Sequence, residues 1–212
     1  MEHGKPHALA KYVSDMLVLE RHVRISFDMQ RWDCDFTKLD RASQLVSRLT
    51  CASDDHIQVL KQCLHDLGGR EAPDVRNSFT DIVGFLAGAI DKTRNTKVSK
   101  GLSDDYASIA LCAAGYAALI MTANGMGESC VASSAEELLE DCSGLMAEVA
   151  RALPEIVVQE LALFGLSTLA STALVSAQQV EHSWQTQSRQ QERSTAATTE
   201  IGSVGTRSSS LA

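Results

Sequence analysis

Residues that break helices or favour strands are rare in this sequence. It contains only three prolines among 212 residues, and runs of β-branched residues are scarce, whereas alanine, leucine and serine are frequent. Proline disrupts helix interiors and β-branched residues favour strands, so the composition predicts an all-α protein. With 44% hydrophobic residues, the chain is long enough for one well-cored domain, or for one domain and a tail.

Positive charge is outnumbered by negative charge. The 27 acidic residues exceed the 19 lysines and arginines, which gives a net charge of −8. Because phosphate binding needs a basic surface, we expect no nucleic-acid partner. The ordinary consequence of such a charge is self-repulsion, which keeps a soluble protein apart from its neighbours.

Sequence motifs of several common activities are missing. The six cysteines form no CxxC pair and no tight Cys/His cluster, which argues against a structural zinc site of the usual spacing. Neither a G-x-S-x-G nucleophile turn nor a phosphate loop occurs. The N-terminal sequence lacks the apolar core of a signal peptide, so a reducing cytoplasm is the expected location. Four cysteines fall in predicted helices, where we interpret them as small buried hydrophobes: Cys51, Cys63, Cys112 and Cys142.

Two uncharged stretches, residues 106–127 and 161–179, are long enough to cross a bilayer. Each contains polar residues, and neither has a Lys/Arg cluster at one end or an aromatic belt. Central helices of a soluble core have the same composition, and we prefer that interpretation. A membrane-associated protein that uses residues 161–179 stays open as an alternative.

Helix caps, helix breakers and apolar spacing divide the chain into six predicted helices. The second is expected to be capped by Asp35 or Thr37 and the fourth by Ser103, while Ser134 and Glu137 form a capping box for the fifth. The expected bounds are about 6–30, 37–67, 73–95, 103–124, 135–153 and 154–180, the last opened by a proline.

Residues 183–212 are rich in Ser, Thr, Gln and Arg and contain almost no large apolar residue. Such a segment cannot bury enough surface to offset the entropy lost on ordering. We therefore predict a disordered tail after a helical domain of residues 1–182. Long helices joined by short links predict an antiparallel bundle for that domain.

An ionisable residue occupies a core position in each of the first two helices. The apolar positions recur every three or four residues and so share one face of their helix, which directs Glu20 and His56 inward. A carboxylate and an imidazole that face a helical core are the ingredients of a metal site. They also suit a vestige of such a site, a buried hydrogen-bonded pair, or, if one face is misassigned, a solvated residue. The two series are Leu9, Val13, Met16, Glu20, Val23 and Phe27, and Leu39, Ala42, Val46, Leu49, Ser53, His56, Leu60, Cys63 and Leu67.

Three segments resemble the YciE/YciF-type ferritin-like family. Residues 15–21, DMLVLER, resemble its D-L-x-x-x-E motif, and residues 56–69 resemble its His-containing second helix with a closing L-G turn. Residues 103–107 are similar to the acidic start of its third bundle helix. The similarity extends over about residues 8–152. It implies an antiparallel ferritin-like four-helix bundle with extra helical segments.

The resemblance also implies where a di-iron site would lie. In such proteins one Glu comes from each of two helices and a Glu-x-x-His pair from each of the other two. Glu20 matches the first-helix Glu and His56 the second-helix His, but Ser53 stands where the Glu partner of His56 belongs. The fourth helix offers Cys112 and small residues in place of its Glu, and the fifth helix has no histidine.

At most half of the expected ligands remain, so the resemblance implies that the di-iron site is lost. We expect no cofactor, or iron or manganese if the site at Glu20 and His56 is intact. The expected function is that of a non-enzymatic binding or assembly protein in stress physiology, which pairs with a second copy through its bundle faces or with another protein. The main alternative is a residual ferritin-like metalloprotein with iron-handling or oxidase activity.

Overall fold

All regular structure in the part of the chain that the structure describes is helical. No strand occurs in that part, which confirms the all-α prediction. The predicted helix at 73–95 and the predicted tail at 183–212 lie outside it. The computed structural model describes residues 5–70 and 97–166, together with Val175, Gln178, Gln179 and His182.

The chain divides into two units, Met1–Thr168 and Leu169–Ala212, and the described helices belong to the first. Four of these helices are long, and a fifth is a single turn. They are α1 (Lys5–Arg31), α2 (Cys34–Thr37), α3 (Asp40–Asp66), α4 (Lys97–Met126) and α5 (Ser129–Leu163).

The four long helices surround one apolar core. α1 packs against α3 and α4, and α5 packs against the same two helices. Gln30 near the end of α1 contacts Asp105 near the start of α4, whereas Glu20 contacts Tyr116 further along, so α1 and α4 run antiparallel. Burial of the apolar stripes, worth about 25 cal/mol per Å² of surface, is the main term that stabilises this arrangement.

A one-turn helix, α2, separates the first two long helices where the sequence predicts only a break. Asp33 caps α2 because its side chain accepts a hydrogen bond from the Asp35 backbone N–H at 2.7 Å. Phe36 anchors the turn in the core at 4% exposure. α3 then begins at Asp40 without a side-chain cap. The caps predicted for the second helix, Asp35 and Thr37, are therefore wrong, since both residues lie within α2.

α4 begins well before its predicted cap. Its first residue is Lys97, and Ser103 lies inside the helix, where its hydroxyl donates to the Ser99 carbonyl at 2.8 Å. The cap is supplied by Glu160 of α5, whose carboxylate accepts hydrogen bonds from the backbone N–H groups of Val98 at 2.8 Å and Ser99 at 3.1 Å. Helix caps usually come from the adjacent sequence, so this distant one left no local signal.

The predicted fifth and sixth helices are one continuous helix, α5. Ser134 lies inside it, so the predicted capping box is wrong, and Pro154 does not restart the chain. A proline in a helix interior removes a backbone hydrogen bond at a cost of about 3 kcal/mol. Buried residues on both sides, Ala152 and Ile156, keep the helix on the core across that defect. α5 ends at Leu163, and most of the predicted continuation to residue 180 lies outside the described residues.

Among the described helices, α4 alone has the length and composition that would allow it to cross a membrane. It contains most of the uncharged stretch 106–127, and a core helix of a soluble protein passes the same test. Its buried stripe, which includes Ile109, Tyr116 and Leu119, faces the core that α1 and α5 share. Most of the other uncharged stretch, 161–179, lies outside the described residues.

Candidate functional site

Each of the four long helices contributes a polar side chain to one point in the core. Glu20 comes from α1, His56 from α3, Tyr116 from α4 and Asp141 from α5. Glu20 is 2% exposed and His56 3% exposed, so both face inward, as the apolar spacing predicts. The structure thus brings the two candidate residues into direct contact.

The Glu20 carboxylate is bonded at both of its oxygens. Its Oε1 accepts a hydrogen bond from the Tyr116 hydroxyl at 2.6 Å and lies 3.1 Å from His56 Nδ1. Its Oε2 accepts a hydrogen bond from the Ser53 hydroxyl at 3.0 Å. A buried carboxylate is expensive unless it is paired and hydrogen-bonded, and these three partners meet that requirement.

His56 lies between two carboxylates. Its Nδ1 faces Glu20, and its Nε2 lies 3.1 Å from Asp141 Oδ2, whose side chain is 56% exposed. Burial lowers the pKa of His56, but the hydrogen bonds and charges of Glu20 and then Asp141 outweigh it, so the pKa is raised overall. The protonated imidazolium satisfies both contacts, since it carries a donor on each ring nitrogen. The Tyr116 ring meets the imidazole edge-on, with centroids 6.0 Å apart.

Two thiols complete the surroundings of the pair. Cys112 and Cys142 are both 2% exposed or less. Burial and then the negative charge of Glu20 raise the pKa of each thiol well above its ordinary value. Neutral thiols of this kind are poor nucleophiles, so the arrangement offers no activated cysteine. Cys63 is also buried, as predicted, whereas Cys51 is exposed, contrary to its interpretation as a buried hydrophobe.

A small cavity of about 10 Å³ lies at this centre, about the space that one water molecule needs. One ligand atom from each of Glu20, His56 and Cys142 lies within 4.8 Å of the others. The polar lining residues are joined by apolar ones, among them Leu145. The cavity lining includes Glu20, Ser53, His56, Cys112, Cys142 and Leu145.

The residues around the cavity do not fit the di-iron site that the family resemblance implies. Such a site needs four carboxylates and two imidazoles, whereas the cavity offers one of each. Ser53 and the two thiols of Cys112 and Cys142 stand at other lining positions. No step of di-iron chemistry therefore follows from this arrangement.

Sequence reasoning identified Glu20 and His56 but missed their partners on α4 and α5. The signal was present: on α4 the residues Asp105, Ile109, Cys112 and Tyr116 recur every three or four positions, and all are buried. The same spacing on α5 includes Cys142. Asp141, which is exposed and adjacent to that stripe, had no such signal.

A second buried carboxylate lies elsewhere in the core. Asp105 is 1% exposed, and its Oδ1 accepts a hydrogen bond from Gln30 Nε2 at 2.8 Å. Burial raises the pKa of Asp105 to about 7. Asp105 Oδ2 and Gln30 Oε1 have no hydrogen-bond partner among the described residues. The predicted cap at Ser103 would put Asp105 in the first turn of its helix, but α4 begins at Lys97 and places Asp105 in the interior.

Comparison with known proteins shows a similarity of fold. A crystal structure of a protein from Xanthomonas campestris pv. campestris matches with a TM-score of 0.61 and 20% sequence identity. The match covers 77% of this chain and 99% of that chain. At this identity the likeness establishes the fold alone. No protein-family model matches the chain, and no curated protein matches it.

Proposed function

We propose that this protein is a ferritin-like four-helix bundle that has lost its di-iron site and works as a non-enzymatic binding or assembly protein of the cytoplasm. The observation that carries this proposal is the set of side chains around the cavity. Ferritin-like ligand sets take one residue from each of two helices and an i, i+3 pair from each of the other two. Six of the ten lining residues can be placed in this pattern: Glu20, Cys112, the pair Ser53 and His56, and the pair Cys142 and Leu145. The other four, Val23, Phe27, Leu49 and Ile109, are apolar and lie outside it.

The chemistry at those six positions differs from that of a di-iron site. Serine, two thiols and leucine stand where carboxylates and an imidazole would be needed, so four of the six positions offer no hard ligand for iron. The two that remain, Glu20 and His56, bond to each other and to Tyr116 and Asp141. A fully bonded buried network of this kind stabilises a unique core. This supports a structural role in place of catalysis.

An exposed apolar surface supports the binding part of the proposal. Ile25 and Met29 on α1 and Trp32 just after it are 56%, 72% and 79% exposed. Their spacing of four residues puts Ile25 and Met29 on one side of α1, and Trp32 follows directly after its last residue. Exposed apolar groups that cluster commonly mark a contact surface. A second copy of the chain is the partner that we expect there. The connection with stress physiology rests on the family resemblance alone.

The alternative function is that of a residual ferritin-like metalloprotein that handles iron or manganese. The proximity of Glu20, His56 and Cys142 favours it. Anaerobic loading with Fe²⁺, followed by metal analysis and by measurement of oxygen consumption, separates the two functions. The proposal predicts neither two irons per chain nor iron-dependent oxygen consumption. Two bound irons that consume oxygen would establish the metalloprotein.

The assembly role has its own test. Light scattering on the purified protein should give the mass of a dimer, and Met29→Glu should convert it to a monomer because a charge would then be buried between the copies. Met121→Glu, on an exposed residue of α4, is the matched control and should stay dimeric. A wild-type monomer would contradict a second copy as the partner.

A further inference from the structure

The cavity between the four long helices contains a donor set that the loss of iron chemistry does not explain. Glu20, His56 and Cys142 each offer a buried ligand atom, and these atoms lie within 4.8 Å of one another. Ligand atoms around a tetrahedral zinc ion lie roughly 3–4 Å apart, given bonds of about 2.0–2.3 Å. The Glu20 and His56 atoms are already at such a distance, 3.1 Å. The Cys142 sulfur lies within 4.8 Å of both.

A second thiol lies on the same cavity. Cys112 lines it, although its sulfur is not among the three atoms that all lie within 4.8 Å of one another. With Cys112, the cavity offers two sulfurs, one imidazole and one carboxylate. Thiolate and imidazole ligands select zinc-class ions over magnesium, calcium or manganese, which prefer oxygen. The replacement of carboxylates by thiols therefore changes which metal the position suits.

Neighbouring side chains orient His56 and Glu20 through hydrogen bonds, as second-layer residues do in metal sites. The Nε2 of His56 contacts Asp141 Oδ2 at 3.1 Å, and its Nδ1 lies 3.1 Å from Glu20 Oε1, so that both proposed ligand atoms lie side by side. Metal-bound histidines commonly donate their second ring nitrogen to a carboxylate in this way. Tyr116 and Ser53 fix the Glu20 carboxylate by donating a hydrogen bond to each of its oxygens. The cavity itself has room for about one small atom or ion.

We propose that this cavity binds one thiophilic divalent cation of the zinc class through Cys142 Sγ, His56 Nδ1 and the Glu20 carboxylate, with Cys112 as the fourth ligand. On binding, the two thiols and the imidazolium Nδ1 release their protons to solvent, and no group is oxidised or reduced. The inference needs only these four residues. It stands whether or not the protein descends from a ferritin-like ancestor, and it differs from a di-iron site in metal, ligand set and stoichiometry.

Cobalt is the probe, because Co²⁺ takes zinc sites and gives a charge-transfer absorption band when thiolate binds it. The reduced full-length protein should bind one Co²⁺ per chain with a thiolate band, and one equivalent of Zn²⁺ should abolish that band. Cys142→Ser removes one of the two thiolates and should weaken the band. Cys34→Ser is the matched control, because exposed Cys34 with Asp33 and Asp35 forms the other described group that could hold a metal. That variant should keep the band.

Zinc X-ray absorption on the Cys34→Ser protein gives a second measurement, which does not depend on whether Cys142→Ser folds. Sulfur scattering at about 2.3 Å from zinc is expected. Three results would each overturn the inference: a wild-type protein without a thiolate band, a band of unchanged intensity in folded Cys142→Ser, or zinc surrounded only by nitrogen and oxygen. The iron-loading experiment above is independent, so failure of either proposal leaves the other open to its own test.

Discussion

Glu20 and Asp105 are both buried carboxylates on core stripes of long helices, yet they differ in the number of their hydrogen-bond partners. Glu20 has a partner at each oxygen and an imidazolium beside it, whereas Asp105 has one hydrogen bond from Gln30 and one oxygen without a partner in the described part of the chain. The Glu20 carboxylate therefore has protein partners in place of the water that burial removes. Asp105 is instead protonated below about pH 7, where its pKa lies. Burial alone does not decide the charge of an acid; the number and kind of its partners does.

Removal of the Glu20 carboxylate should have the largest effect on stability. Glu20→Leu leaves the His56 imidazolium and the Tyr116 hydroxyl without their acceptor, and breaking one side of a buried ion pair costs about 3–5 kcal/mol. Urea unfolding followed by circular dichroism measures this loss.

The double change Glu20→Leu with His56→Leu sharpens the same comparison. It leaves no unpaired charge in the core, so it should cost less than the two single changes added together. Strict additivity would show that the two side chains do not interact, contrary to their 3.1 Å contact.

The pH dependence of stability should report Asp105. Burial raises its pKa from 3.8 to about 7 in the folded state, so the folded protein binds an extra proton between those two values. This contribution is fully present below pH 4 and is lost as pH rises through 7, by at most about 4 kcal/mol. Asp105→Asn should flatten the curve, because an amide does not titrate in this pH range. The new amide can still donate to and accept from Gln30. Asp104→Asn, one residue away and 39% exposed at the side chain, removes only a neighbouring charge that adds to the raised pKa of Asp105, so most of the pH dependence should remain.

Glu160 extends the comparison to a carboxylate whose partners are backbone groups. Glu160→Gln keeps the shape but removes the charge and one acceptor from the N-terminus of α4, so we expect a loss of about 1–2 kcal/mol. Thermal unfolding measures it, and hydrogen exchange at Val98 should accelerate. Glu155→Gln, an exposed change on the same helix, is the control. An equal effect of the two changes would contradict the capping role.

Asp141 should matter least, although it contacts the same imidazole as Glu20. Its side chain is 56% exposed, and water and salt screen ion pairs at such positions, so Asp141→Asn should cost less than about 1 kcal/mol. A loss as large as that of Glu20→Leu would show that the two carboxylates hold His56 equally.

The site was half predictable. Helical spacing identified Glu20 and His56 as inward-facing, because it depends only on neighbours three and four residues apart. Cys112 and Cys142 were expected to be buried, and the same spacing could have found Tyr116. Polar or small residues in a core stripe, however, carry no signal of which side chains they contact. That Tyr116 reaches Glu20 depends on how α1 and α4 align, and no local pattern specifies that alignment.

Helix content and the inward faces of α1 and α3 followed from the sequence, because propensity and periodicity act over one or two turns. Where the helices begin and continue was decided by tertiary contacts. Glu160 starts α4 from a distant helix, and packing carries α5 through Pro154. Tertiary contacts also decided that Glu20 has several partners and that Asp105 has a single hydrogen bond, from Gln30. Local preferences are worth tenths of a kcal/mol per residue, roughly, and core packing outweighs them where the two disagree.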